Sequence, residues 1–385
     1  MRYLLLRLKR FCGYITGFVF LISGILKLMD PVGAGLIVKE YLDFMHISFL
    51  DCISKPVGVL FAFSETILGA GLITGVWRRM ITPVILGLQI FFTLITAVLL
   101  IFKPEMDCGC FGEAVHLSHG ETFIKNIILL ALLLIYYIPA KHLGETRNKK
   151  YVSFGIVSLS VLLFAAYSWT HLPLVEFTSF RPGAALEVSS SAVDYQAAFT
   201  YEKDGIQETF TLDNLPDSTW TFVSAQTIEK NSSANNASSL SFYDKEGNYA
   251  DSLAIKGNVM IVSVYDTKIS ERKWTKIGNF LKNTEKAGFR SILLTSAPVE
   301  GLDMDNAYIA DYKTLITLNR SNGGATHFCK GYLISKWSVN RYPDRAELSR
   351  IHSEDITEGI IGKETQESLT FQAFLLYLFA ILLLL

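Results

Sequence analysis

Five stretches of this chain, 11–29, 57–77, 80–102, 122–140 and 151–170, are apolar over close to the roughly 20 residues that a helix needs to cross a bilayer. Within lipid every backbone polar group must be satisfied internally, so such stretches have to be helices. A sixth, 369–385, is uncharged but sits at the short limit, where it either crosses or dips into the interface. Composition agrees. Half of the 385 residues are hydrophobic and 18% are charged, against about a quarter in a water-soluble globule. The first stretch is too long and lacks the small-residue site of a cleaved signal peptide.

Lys plus Arg (35) balances Asp plus Glu (36). A nucleic-acid partner needs a basic excess on some face, so that class is excluded, and membrane lipid is the expected surrounding. The short loops nevertheless divide their basic residues unevenly. Arg2, Arg7, Lys9, Arg10, Arg78, Arg79, Lys141, Arg147, Lys149 and Lys150 fall on one side, and only Lys39, Lys55 and Lys103 on the other. Because short cytoplasmic loops retain positive charge, the N-terminus is expected in the cytoplasm of an inner-membrane, multi-pass protein. Residues 171–368 are then expected outside it. In loop 30–56, Ile37, Tyr41, Phe44 and Met45 recur at helical spacing while Lys39, Glu40 and Asp43 face elsewhere, which predicts a short helix on the outer membrane surface.

The segment 171–368 reads as soluble α/β. Strand-like runs at 194–202 and 206–212 flank Lys203-Asp204-Gly205, a hairpin signal, and 225–240 reads as a Ser/Asn-rich flexible loop. A buried strand (258–264), an amphipathic helix (270–287), a second buried strand (289–295) and a hairpin (325–329 and 332–337, turning at Lys330-Gly331) follow. A βαβ unit followed by a hairpin fits a thioredoxin-type sheet.

Five cysteines are too few for a disulfide scaffold and enough for one bridge or one redox pair. Cys108, Cys110 and Cys52 share the predicted outer side. A disulfide exchanger needs an accessible thiolate and a second thiol to resolve the mixed disulfide. These three could supply both, with either a Cys-Gly-Cys ring or a Cys52 bridge that leaves one attacking thiol. A structural disulfide between the two outer loops is the competing reading. A metal reading adds His116 and His119 to Cys108 and Cys110, a donor set for copper(I) or zinc, although Cys-x-Cys is not the usual finger spacing. Cys12, near the cytoplasmic end of the first span, reads as a packing residue.

Lys27 and Glu65 are ionisable residues inside spans one and two, and side chains lean toward their own helix N-terminus, so these two lean toward each other. They read as an intramembrane ion pair; the alternative is a snorkelling Lys27 and a protonated Glu65. Gly13 and Gly17 on span one, and Gly69, Gly71 and Gly75 on span two, suit close helix packing. The aromatic residues Phe18, Phe20, Phe61, Phe63, Phe91 and Phe92 read as lipid contacts or core, or as the walls of a quinone cleft.

Several of these residues coincide with a known pattern. Ser23-Gly24 with Lys27 and Asp30-Pro31, Glu65 with Gly69 and Gly75, and Asp107-Cys108-Gly109-Cys110-Phe111-Gly112 resemble the DoxX/MauE group of four-helix membrane proteins over residues 8–140. The resemblance implies a role in periplasmic disulfide or redox maturation, the group being named from methylamine utilisation. Residues 255–350 resemble thioredoxin-like domains but depart from them where redox members carry Cys-x-x-Cys, the loop here reading Tyr265-Asp266-Thr267-Lys268. Near the usual cis-proline stands Gly323-Gly324-Ala325-Thr326, and Cys329 is single. The combination resembles an architecture typical of Bacteroidetes.

The expected fold class is therefore a membrane α-helical bundle with an exported α/β thioredoxin-like domain. It divides into a four-helix domain (1–140), a cytoplasmic loop and fifth span (141–170), a β-rich linker (171–254), the degenerate thioredoxin-like domain (255–350) and a tail (351–385). Two functions compete. One is a thiol/disulfide factor acting on exported client proteins, and the other a non-catalytic scaffold whose thioredoxin-like domain binds partners.

Overall fold

The computed structural model describes residues 2–104, 106, 108–137, 146–187, 195–203, 206–211, 220–229, 238–299, 306–354 and 356–385. They form two units, residues 1–178 with 364–385, and residues 179–363.

The first unit is helical. α1 (Arg2–Met29) ends at Asp30, whose carboxylate accepts the Gly33 N–H at 2.9 Å and so caps α2 (Pro31–Phe44). Proline at the first helical position loses nothing there, since its missing N–H has no intrahelical acceptor. A 3₁₀ turn, Ser48–Ile53, leads into α3 (Ser54–Thr74), which Gly75 closes in the left-handed conformation at φ 72°. Then come α4 (Arg78–Phe102), the short strand β1 (Cys110–Glu113), α5 (His119–Tyr137) and α6 (Asn148–Thr170). Residues 138–140 of the expected fourth span lie outside the described residues.

The main helix contact joins α1 and α3 face to face. A Cβ on Gly69 would stand 2.6 Å from both the Gly17 carbonyl oxygen and the Leu21 nitrogen, so the backbones touch where small residues allow it. Around that seam, Leu21, Ile25 and Leu28 pack with Ala62 and Ala70, and with Val157 and Val161 of α6. α4 and α5 are tied by side-chain amides. Gln89 Nε2 donates to the Asn126 carbonyl at 3.0 Å, and Asn126 Nδ2 donates to Thr96 Oγ1 at 3.1 Å. In lipid such bonds have no competing water.

The short helix expected in 30–56 is present as α2, but part of its apolar side packs inward: Gly35 and Ala34 lie against Lys55 and Gly58 of α3, and Ile37 and Tyr41 line a cavity, while Met45, just beyond the helix, is exposed. Small residues at 33–35 let this helix approach too closely to stand apart.

The second unit begins with β2 (Leu186–Glu187), followed by β3 (Tyr195–Lys203), β4 (Ile206–Thr211) and β5 (Thr221–Glu229), the last three forming an antiparallel sheet in the order β4-β3-β5. The hairpin expected around 204–205 is thus present on both arms, its turn lying outside the described residues. Within the expected loop 225–240, residues 225–229 are instead the end of β5, held by pairing with β3, and 230–237 lie outside the described residues.

After β6 (Ser238–Ser239) and β7 (Phe242–Tyr243) come β8 (Asn258–Val264), α7 (Glu271–Lys286), β9 (Arg290–Thr295), β10 (Ala307–Ala310), α8 (Tyr312–Leu318), β11 (Gly324–Cys329), β12 (Tyr332–Trp337) and α9 (Arg345–Ser353). The sheet order is β12-β11-β8-β9-β10-β7, with β8 parallel to β9 and antiparallel to β11. Strand alternation explains the layers. Val259 and Ile261 face Leu315 and Leu318 of α8, whereas Met260, Val262 and Val264 face Ile277, Phe280 and Leu281 of α7. The β11–β12 turn places Lys330 at φ 49° and Gly331 at φ 84°, the two left-handed residues of a tight hairpin. This is a thioredoxin-like α/β arrangement. The loop after β8, where redox members hold their dithiol, is clasped to the loop before β11. The Asp266 N–H donates to Asn322 Oδ1 at 3.2 Å, Asn322 Nδ2 donates back to the Asp266 carbonyl at 2.8 Å, and the Tyr265 hydroxyl donates to the Arg320 carbonyl at 3.1 Å.

The last helix, α10 (Ile356–Leu384), is longer than the apolar run 369–385 suggested, because the helix begins among polar residues. Its residues 359–384 are long and apolar enough to cross a membrane, as are those of α1, α3, α4, α5 and α6. Phe374 and Ile381 join the core around α1 and α3, and Tyr377 Oη lies 2.9 Å from Ser160 Oγ of α6.

His327 on β11 is buried, its Nε2–H donating to Asn258 Oδ1 at 3.1 Å while Asn258 Nδ2 donates to His352 Nδ1 at 3.4 Å. Burial, and then the neighbouring His352, lower its pKa to about 4 from 6.5. Between those values the unfolded chain takes up a proton that the folded chain refuses. Stability is therefore whole above pH 6.5 and falls as the pH drops toward 4, by about 3 kcal/mol. Urea unfolding of the purified protein at neutral and acid pH is expected to show this loss for the wild type and a much flatter dependence for His327→Gln.

Candidate functional site

The site lies at one end of the helical unit, where the end of α1, the start of α3, the second half of α4 and the start of α5 meet beneath α2. Lys27 and Glu65 sit at its base. Lys27 Nζ donates to Glu65 Oε1 at 2.7 Å and to Oε2 at 2.9 Å, with 13% of the lysine side chain and 2% of the glutamate side chain exposed. Two charges this dry persist only when they neutralise each other and their remaining lone pairs and protons are used. Ser23, one turn before Lys27, has its Oγ 2.8 Å from Glu65 Oε2 and 2.6 Å from the Cys110 carbonyl oxygen. A serine has one proton, so it donates to one of these acceptors at a time. That hydroxyl links the charge pair to the cysteine loop.

The loop between α4 and α5 folds over this pair. Gly109 and Gly112 take φ of 62° and 63°, which L side chains rarely adopt. At Gly109 a side chain would also run into Ile37 of α2. Cys108 is buried, Cys110 half-buried, and each is present as a thiol. The Tyr41 hydroxyl of α2 donates to the Cys108 carbonyl at 3.1 Å. Burial, with the two thiols as a smaller contribution, pushes that hydroxyl up, so it remains a neutral donor.

Cys108 Sγ lies 2.9 Å from Nδ1 of His119, the first residue of α5, and His119 Nε2 lies 3.0 Å from the Pro104 carbonyl oxygen. A carbonyl can only accept, so Nε2 carries the ring proton, and Nδ1 turns its lone pair to the thiol. Cys108 S–H therefore donates to a base held in one tautomer by the backbone. The sequence offers His119 as a metal donor and leaves this role invisible, since nothing in the spacing shows which ring nitrogen a distant carbonyl will hold.

The other candidates fall elsewhere. Cys52 is exposed on the 3₁₀ turn and is not among the residues lining the cavity. His116 is exposed in the loop before α5. Among the described residues no group of three or more His, Cys, Asp or Glu could hold a metal ion, so of the four metal-reading donors Cys108 and His119 alone are shown in contact. Cys12 is buried in α1, as expected of a packing residue, and Cys329 is buried in β11.

Between the charge pair and the cysteine loop lies a cavity of about 360 Å³. Phe61, Phe91, Phe92, Ile95, Val19 and Ile37 supply apolar wall, and Phe61 and Phe91 stack at 6.2 Å with 2° between their planes. Besides the two cysteines, polar side chains line it as well: Ser23, Lys27, Tyr41, Glu65, Gln89, Thr96, Lys125 and Asn126. Small-molecule sites have this make-up, mostly apolar with a few convergent polar groups.

Residues 3–139 match the family described as methylamine utilisation protein MauE, and residues 195–230 match a domain of unknown function. Over 158 residues the chain is 26% identical to Protein TlpB of Flavobacterium psychrophilum, a stretch that is 38% of this chain and 41% of that protein. The chain thus spans about two fifths of this curated relative. No solved structure matches.

Proposed function

From a MauE-like membrane domain joined to a thioredoxin-like unit, we propose that this multi-pass membrane protein exchanges disulfides with exported client proteins through Cys108 and Cys110. The observation that carries this reading is the Cys108–His119 contact with the ring's other nitrogen committed to Pro104. A thiol so placed is deprotonated by its neighbour when needed and leaves readily as a thiolate.

The two cysteines divide the work by exposure. Cys110, half-buried, meets the client and forms the mixed disulfide. Cys108 passes its proton to His119 Nδ1, attacks the Cys110 sulfur, and expels the client thiolate, which takes a proton as it leaves. A Cys108–Cys110 disulfide and a reduced client result. In reverse, a client thiolate attacks the Cys110 sulfur, Cys108 leaves and recovers its proton from His119, and a second client thiol completes the client's disulfide. Cys52, exposed on the same side, is a further thiol for exchange with clients. The thioredoxin-like unit, which has no cysteine in residues 265–268, recruits clients. The partition of basic residues supports an inner-membrane protein with its N-terminus in the cytoplasm and this unit outside.

The test is a trap. Cys108→Ala is expected to accumulate a mixed disulfide at Cys110, seen on non-reducing gels and abolished by adding Cys110→Ala, because attack proceeds but release does not. His119→Ala is expected to slow release without preventing attack. If no redox-sensitive adduct forms and the double cysteine variant keeps full activity, the scaffold reading replaces this one.

A further inference from the structure

Exchange that donates disulfides to clients leaves Cys108 and Cys110 reduced, and each cycle then requires something to remove two electrons and two protons. The cavity offers a place where such an acceptor would meet both cysteines, since Cys108, Gly109 and Cys110 form part of its wall. Its opposite features narrow the acceptor's chemistry. The walls are aromatic and aliphatic, with the flat Phe61–Phe91 stack on one side. The volume suits one small ring system, and the cavity lies within helices apolar enough to cross a membrane.

One polar group is left over. Lys27 gives two N–H bonds to Glu65, and its third N–H has no oxygen or nitrogen acceptor among the described residues; its ammonium stands 5.8 Å from the centre of the Phe92 ring. A mostly buried ammonium with a spare donor beside an aromatic wall is complementary to a flat apolar ring that carries a carbonyl oxygen. A water-soluble disulfide or a flavin phosphate would bring polar surface that these walls cannot satisfy.

We propose that the cavity binds the ring of a membrane quinone, with Lys27 donating to one of its oxygens, and that this quinone reoxidises Cys108 and Cys110. The proposal rests on the exchange reading above. The balance is complete: two S–H bonds break and one S–S bond forms, while the quinone takes two electrons and two protons and leaves as the quinol with two new O–H bonds. The Cys108 proton departs by way of His119 Nδ1.

The experiment uses the full chain in detergent. Decylubiquinone should bind saturably and should displace a photoreactive azidoquinone cross-linked to α3 or α4, while the saturated alcohol of the same tail should not. Lys27→Met with Glu65→Gln removes both charges together and is expected to weaken binding about tenfold, the scale of one lost hydrogen bond to a charged group. Phe61→Leu, which keeps the pair intact, should weaken it as well. Added without oxygen to the reduced protein, decylubiquinone should yield one quinol for each Cys108–Cys110 disulfide. Equal displacement by the alcohol, unchanged binding in both variants, or binding without quinol formation would each overturn the proposal. His119→Ala separates it from the exchange reading, because that variant should lose efficient client release and still bind the quinone. A protein that binds and reduces the quinone but never traps a client refutes the client and keeps the site.

Discussion

Lys27→Met is expected to destabilise the helical unit by about 3–5 kcal/mol, and Glu65→Gln by a similar amount, because each leaves its partner charged and dry. The double variant should cost less than either. Glu65 is the more deeply buried member, and among the described residues its other hydrogen-bond donor is Ser23, which is shared with the Cys110 carbonyl. Stranding the carboxylate therefore disturbs the cysteine loop as well as the bundle. Detergent-melting curves of the two single variants and the double variant form a thermodynamic cycle. A coupling of several kcal/mol is the expected result, and strictly additive losses would refute the pair as an energetic unit.

Gly69→Leu is expected to be as damaging for a different reason. Its Cβ would meet backbone atoms of α1, the Gly17 oxygen and the Leu21 nitrogen, and backbone cannot rotate aside as a side chain can. The helices must separate along the seam that holds Leu21, Ile25, Ala62 and Ala70, at a cost of about 3 kcal/mol or more. Gly87→Ala and Gly155→Ala provide the comparison, since a methyl at either position meets nothing within 4 Å. Their accumulation in membranes should match the wild type, whereas Gly69→Leu should fail to accumulate. Equal behaviour of all three would mean that the close approach of α1 and α3 carries little of the fold.

Much of the architecture was legible because its signals are local. Apolar length marks the spans, and the strands at 258–264, 289–295, 325–329 and 332–337 announce themselves by burial and by the turn at Lys330-Gly331. Short elements were not legible: β7 and β10 hold two and four residues, and pairing with β9 and with each other, rather than propensity, makes them strands. The inward face of α2 was misread because an apolar stripe does not say whether lipid or a neighbouring helix covers it; the small residues Gly33, Ala34 and Gly35 were the available clue. At the site, residue types pointed to Cys108, Cys110, Lys27 and Glu65. The role of His119 depends on a main-chain carbonyl, and the tie between Gln89 and Asn126 on a helix pairing. Neither leaves a trace in spacing, although two amides inside apolar spans were a signal worth following.

The clasp between Asp266 and Asn322 has a consequence for anyone wishing to retrofit the thioredoxin-like unit with its absent chemistry. Cysteines grafted at 265 and 268 would break the Tyr265 bond to Arg320 but leave the second residue of the loop bound in both directions to Asn322. The new sulfurs would then hang from a loop fastened shut, with no freedom to turn outward toward a substrate. Installing a working dithiol there would take a redesign of both loops together.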